Sequence, residues 1–298
     1  YAHQASRNDY YEIGLELVAS GFDYFAGGGL LKPTGADGHQ KDLYTLAEEA
    51  GYTVARTNAE ASAINASTDQ AILIDEDLAD SDAMAYEIDR TSDMWSLADY
   101  VEKGIEVLNN SKGFFLMCEG GKIACHANDA ASTIHDTQAL ADAVQVAVDF
   151  AKKHPSDTLI LVTGDHETGG LTIGYAGTDY DTYLDLLENQ KISFAKFDSD
   201  YVAKYKTEKT PFADVLRDVE KLFGLKASGA QSDKLVLTDY EMQQLKTAYE
   251  KSVNGTAASP YDQEESILYG TYEPLSVTIT HIINNKSGVS FTSYSHTG

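Results

Sequence analysis

Three short segments of this chain place carboxylates or imidazoles directly after an apolar run. GFFLMC is followed by Glu119, Gly120 and Gly121; LILVTG by Asp165, His166 and Glu167, then Gly169 and Gly170; and VSFTSYS by His296, Thr297 and Gly298. Carboxylate oxygen and imidazole nitrogen together suit zinc, whereas a glutamate without imidazoles suits magnesium. The glycines permit tight turns and close backbone approach. A single Asp-His pair is more commonly a hydrogen-bonded surface turn, and a terminal His-Thr-Gly means nothing alone. Recurrence at three run ends favours a metal site. Residues 119–130, EGGKIACHANDA, add Cys125 and His126 to the first segment. That stretch reads as a working metal site, a damaged one or an ordinary turn. Arg7, in YAHQASRNDYY, is either a solvated charge beside a helix or a bidentate clamp for phosphate or carboxylate. His3, His39, His135, His154 and His281 lack such neighbours and read as structural or solvated.

These residues need a scaffold that brings run ends together. DYYEIGLELVAS, KDLYTLAEEAG, SLADYVEKGIEVLNN and TQALADAVQVAVDFAKKH have helical period, with Leu97, Tyr100, Val101, Ile105 and Leu108 on one face of the third. Between them FDYFAGGG, TVART, AILID, GFFLMC and TLILVT read as strands, several apolar on both faces. The alternation predicts an α/β fold: a three-layer sandwich whose largely parallel central sheet is flanked by helices, with ligands at the carboxyl ends of the strands. After Gly177 the texture changes to dense tyrosines and charges, with helices such as PFADVLRDVEKLFG and DYEMQQLKTAYEKS. The expected division is therefore an α/β core over 1–177, a mainly helical insertion or cap over 178–274, and a return to the core over 275–298. In the last part VTITHII is an apolar stretch and VSFTS a final strand that could rejoin the sheet.

With 298 residues, 43% of them hydrophobic, the chain can bury a substantial core. Its 22 Lys and Arg against 47 Asp and Glu give a net charge of −25. That field repels nucleic acid and anionic membranes, so an anionic substrate would need cations bound locally. No apolar run reaches the roughly 18 residues of a membrane span. Cys118 ends an apolar run and reads as a small buried hydrophobe, although one disulfide with Cys125 stays open.

Taken together the motifs resemble the alkaline phosphatase family. LILVTGDHETGG is similar to its zinc-binding segment, GFFLMCEGGKI to its magnesium-binding strand end, SYSHTG to the segment with its last zinc histidine, and YAHQASR to the stretch ending in its phosphate-gripping arginine. FAGGG and DEDLADSDAMAYEIDR also look like family segments, so the resemblance runs through nearly the whole chain in order. It implies two Zn2+ and one Mg2+. Asp165 and His166 would serve one zinc, His126 and His296 the other, and Glu119 the magnesium, while Arg7 would grip the phosphate. It further implies hydrolysis of phosphomonoesters through a phosphoserine, release of inorganic phosphate, and a periplasmic or extracellular enzyme of a kind often dimeric. No nucleic-acid or membrane partner is expected.

The departures matter as much. In the family the nucleophilic serine and a first metal-binding aspartate stand well upstream of the arginine, which here is residue 7. The expectation is an incomplete chain, inactive alone. The family also runs Glu-Gly-x-x-Ile-Asp, with the zinc histidine four residues beyond that aspartate. Here Ile123 is followed by Ala124, Cys125 and His126, two residues short and without the aspartate. The pattern gives Cys125 no metal role. Competing readings are a phosphodiesterase, sulfatase or phosphomutase on a related fold, and a non-catalytic metal- or phosphate-binding relative.

Overall fold

The computed structural model describes residues 1–124, 127–255 and 263–296. The chain divides into two compact units. The first comprises Tyr1–Ala85, Arg90–Gly120 and Gln138–Leu161; the second comprises Tyr86–Asp89, Gly121–Thr137 and Val162–Gly298.

The first unit is built around a short parallel sheet. In chain order it contains α1 (Tyr10–Ala19), β1 (Tyr24–Gly27), α2 (Leu43–Glu49), β2 (Thr53–Ala55), α3 (Asn58–Ala63), β3 (Ala71–Ile74) and α4 (Leu97–Leu108). β3 lies at the centre, with Tyr24 to Gly27 paired along one side of it and Thr53 to Ala55 along the other. Its sequence, Ala-Ile-Leu-Ile, is buried throughout because both faces are covered. Ile72 and Ile74 pack with Leu17, Tyr44, Ala47 and Tyr52, while Ala71 and Leu73 pack with Ala55, Ala61, Ile64 and Tyr100. This period-two division puts helices on either side of the sheet, as expected for a parallel α/β arrangement. α4 starts at a capping box between Ser96 and Asp99 and buries Tyr100, Val101 and Leu108. The Tyr100 hydroxyl then donates to buried Asp75 at the end of β3, at 3.0 Å. Burial raises that carboxyl above its usual range.

Two expected strands do not form. GFFLMC and TLILVT pair with no strand among the described residues. Their side chains alternate in burial: Phe114 and Leu116 are half-buried, but Phe115 is 85% and Met117 69% exposed, and Leu159 and Leu161 are each 81% exposed. The runs have the two apolar faces of a central strand without a neighbouring ladder to cover the second. For the same reason Cys118 is exposed rather than buried.

The second unit is mainly helical. α5 (Ala130–Lys153) contributes its first turns here and the remainder to the first unit. It is followed by β4 (Thr172–Ile173), α6 (Phe194–Phe197), α7 (Ala203–Glu208), α8 (Phe212–Phe223), α9 (Asp239–Asn254), α10 (Gln263–Tyr269), α11 (Pro274–Ser287) and β5 (Val289–Ser290). Phe197, Phe223, Leu245, Ile279 and Ile283 form the fully buried centre of its core. The stretch VTITHII lies within α11. Pro274 opens this helix and Gly288, at φ 77°, closes it, and burial of Val277, Ile279, Ile282 and Ile283 overrides the modest helix propensity of β-branched residues. VSFTS supplies β5, which pairs antiparallel with β4 rather than with the parallel sheet.

One carboxylate anchors this unit. Asp129, just ahead of α5, is completely buried and accepts from the backbone N–H of Ser132 at 3.0 Å and its hydroxyl at 2.8 Å. It also accepts from Gln190 Nε2 at 2.8 Å and from the N–H of Phe194 at 3.0 Å. The first contact caps α5 and the others fasten residues 190–194 to the same point. Asp129→Ala would take the acceptor from three buried donors and leave Gln190 Nε2 with only the Ile192 carbonyl, and we expect a loss of roughly 3–5 kcal/mol in urea unfolding.

Asp198 behaves differently. It accepts from Ser276, yet burial, with Glu273 adding to it, outweighs that bond and Lys206 and pushes its carboxyl up to about 7. The folded protein therefore holds a proton that the unfolded chain releases. This stabilisation is complete below the ordinary aspartate range and lost as pH rises through 7. Asp198→Asn should flatten the decline, gaining on the order of 1–3 kcal/mol over the parent at pH 8 relative to pH 5 in chemical denaturation.

Candidate metal centre

β4 and β5 bring two of the expected segments together. Thr172 pairs with Ser290 and Ile173 with Val289. Beyond the pair, the carbonyl of Gly169 accepts from the backbone N–H groups of Thr292 at 3.0 Å and Ser293 at 3.1 Å. Gly169 and Gly170 both adopt positive φ, 79° and 67°. A Cβ on Gly169 would stand 2.9 Å from the Ser293 carbonyl oxygen, and one on Gly170 would meet Thr292. The double glycine of DHETGG is thus required both by its backbone conformation and by the strand lying against it. Glu167 accepts from the N–H of Gly170, closing the turn.

As a result the imidazoles of His166 and His296 stack face to face, with centroids 3.5 Å apart and planes 8° from parallel. Thr168, Gly169, Ala124 and residues 293–296 line a shallow depression at this point. Nδ1 of His166 lies 2.7 Å from the Glu167 carbonyl oxygen, which can only accept. Nδ1 therefore donates there, and the Nε2 edge of the ring faces Asp165. Asp165 Oδ2 is 3.5 Å from that Nε2. Two ligand atoms about 2.0–2.1 Å from one tetrahedral zinc are themselves roughly 3.4 Å apart, so this pair fits zinc.

The other expected residues are distributed as follows. Arg7 and Glu119 belong to the first unit, and both are exposed. Arg7 sits in a turn where the Asp9 carboxylate accepts from the N–H of Ser6, and among the described residues it has no ion-pair partner. His126 and Cys125 lie outside the described residues. Among the described residues no three His, Cys, Asp or Glu side chains form a metal-holding group. The structure brings Asp165, His166 and His296 to one place, by the antiparallel β4–β5 pair rather than by the ends of parallel strands.

Sequence reasoning missed the residues that hold this place from behind. Asn128, at φ 54°, uses its side-chain amide to donate to the Ser293 carbonyl at 2.8 Å, and its Oδ1 is 2.9 Å from His281 Nε2. The only signal was local: Asn128 stands two residues after His126, and His281 is the one imidazole within an apolar run.

The fold is α/β, with a parallel sheet flanked by helices, and it brings an Asp-His pair beside a second imidazole. A family model described as alkaline phosphatase matches residues 3–297, and the chain belongs to the alkaline phosphatase family. It is 32% identical over 254 residues to alkaline phosphatase 4 of Bacillus subtilis, covering 84% of this chain and 46% of that one. Among solved structures, the cold-active alkaline phosphatase of a psychrophilic Shewanella aligns with TM-score 0.74 and 26% identity, covering all of this chain and 62% of the other. A mutant of the TAB5 alkaline phosphatase with Mg bound aligns with TM-score 0.52 and 33% identity, covering 61% of this chain and 53% of that one. The chain spans about half the length of the curated relatives it matches.

Gly169→Ala should force the 292–296 segment away. We expect a destabilisation of about 1–3 kcal/mol and, by NMR, loss of the cross-relaxation between the His166 and His296 rings.

Proposed function

We propose that this chain carries the metal-binding part of a phosphomonoester hydrolase of the alkaline phosphatase type. The observation that carries the reading is the Asp165–His166 pair, its ring oriented by the Nδ1 contact to the Glu167 carbonyl and stacked on His296. Asp165 and His166 would hold one zinc, His126 and His296 the other, and Glu119 a magnesium ion. Bound there, these ions would lower the pKa of an attacking oxygen and stabilise the leaving one. Arg7 would grip two phosphate oxygens as a fork, which lysine could not do as well. Cations gathered at this point would also offset the −25 net charge that otherwise repels a phosphate ester. Without an aspartate after Ile123, His126 and His296 leave their zinc with two protein ligands where three are usual, so this ion is the weaker bound. Family membership supports an exported location and a homodimer as accompanying proposals.

The full-length protein, supplied with zinc and magnesium, should hydrolyse p-nitrophenyl phosphate in strong preference to bis(p-nitrophenyl) phosphate. A preference for the diester would replace the reading with a phosphodiesterase; no hydrolysis of either would point to a non-catalytic relative. In the same protein His166→Ala should weaken zinc binding at least as much as loss of an outer partner does, roughly 10–100-fold by chelator competition. Arg7→Ala should chiefly raise KM for the monoester.

A further inference from the structure

α11 offers three polar side chains to the corner that follows His126. The Thr280 hydroxyl lies 3.0 Å from the carbonyl oxygens of both Ala127 and Val277, and Asn284 Nδ2 donates to the carbonyl of Asn128 at 2.6 Å. His281 Nε2 lies 2.9 Å from Asn128 Oδ1. Because the Asn128 amide nitrogen is already committed to the Ser293 carbonyl, its Oδ1 must accept and His281 must donate. The His281 ring also stacks on Tyr294, with centroids 5.8 Å apart, and the Tyr294 hydroxyl donates to the Leu268 carbonyl. Asn128 is two residues from His126, while Ser293 and Tyr294 lead into His296. One helix thus touches both backbone segments that end in expected zinc histidines.

Buried side chains in this arrangement have few alternatives. Asn284 is 1% and Asn128 3% exposed. Asn128 also holds the left-handed conformation, φ 54°, which asparagine tolerates better than most residues. Hydrogen-bonded carbonyls and a side-chain relay at such a point add directional constraints to the packing and specify one arrangement.

We propose that His281 and Asn128 are positioning residues: the relay from His281 through Asn128 to the Ser293 carbonyl sets the His296 ring against His166, and so pre-forms the metal centre before any metal arrives. This deepens the phosphatase reading for the zinc histidines, but the placement of His296 can be tested without metal. Outer partners of metal ligands typically govern affinity by 10–100-fold through orientation alone.

The test compares His281→Leu, which keeps bulk but loses the donor, with His281→Gln, whose Nε2 can replace it. Asn128→Asp serves as a second disruption that still tolerates the backbone conformation. In the metal-free chain, cross-relaxation between the His166 and His296 rings should persist in His281→Gln and vanish in His281→Leu and Asn128→Asp. Unfolding midpoints measured alongside identify any variant that has lost its fold, and the folded ones decide. Titration with zinc alone should show affinity falling roughly 10–100-fold in His281→Leu and returning to within a few-fold in His281→Gln. Undiminished ring contact in a folded His281→Leu or Asn128→Asp would overturn the relay, as would failure of His281→Gln to restore it. If the parent chain shows the ring contact and its loss on substitution but binds no zinc, the relay stands and the metal reading falls.

Discussion

The buried carboxylate of Asp129 is the constraint on which the second unit turns. An aspartate removed from water is tolerable only when its lone pairs are filled, and here they are filled by Ser132, Gln190 and Phe194. The same carboxylate caps α5 and bonds to Gln190 and Phe194. Asn128 is the next residue upstream, and its own side chain and carbonyl bond to Ser293, His281 and Asn284. α5, α11 and the loop to His296 therefore share one polar node rather than meeting through hydrophobic contact alone. Apolar clusters around Phe197, Phe223 and Ile283 supply most of the burial, and the node adds directional hydrogen bonds to that close packing.

Much of the first unit was legible in the sequence. AILID reads as a strand apolar on both sides, and β3 is that strand, with Ile72 and Leu73 facing opposite clusters. The face of α4 was legible too, since Tyr100, Val101 and Leu108 are buried as their spacing requires. GFFLMC and TLILVT have the same composition as β3 yet form no strand, because a strand needs a paired neighbour and composition carries no information about one. The β-branched run in α11 misled in the opposite way. Its helix is written in the flanking Pro274 and Gly288, which punctuate more reliably than the residues between them.

At the candidate centre, residue types were legible and supporting geometry was not. Asp165, His166 and His296 stand out because each follows an apolar run, and they do come together. What brings them together is the double glycine lying under Ser293 and an asparagine in a left-handed corner, contacts made across long separations in sequence. His281 reads from sequence as structural or solvated, because no carboxylate or imidazole stands beside it after an apolar run. It is half-buried, and burial lowers its pKa to about 4. It is a neutral donor in ordinary buffers, suited to holding an amide in place.

The unpaired runs around Phe115 and Leu159 have a consequence for how this polypeptide behaves in a crowded solution. Each exposes apolar side chains with no charge or proline within GFFLM or TLILV to blunt it. Stretches of that kind are templates for intermolecular cross-β pairing, and natural sheets guard against it by covering or charging their margins. The long-range repulsion between molecules bearing 47 acidic side chains opposes such encounters, and added salt weakens it over about 10 Å. Ionic strength is then a variable on which dispersal of the chain depends.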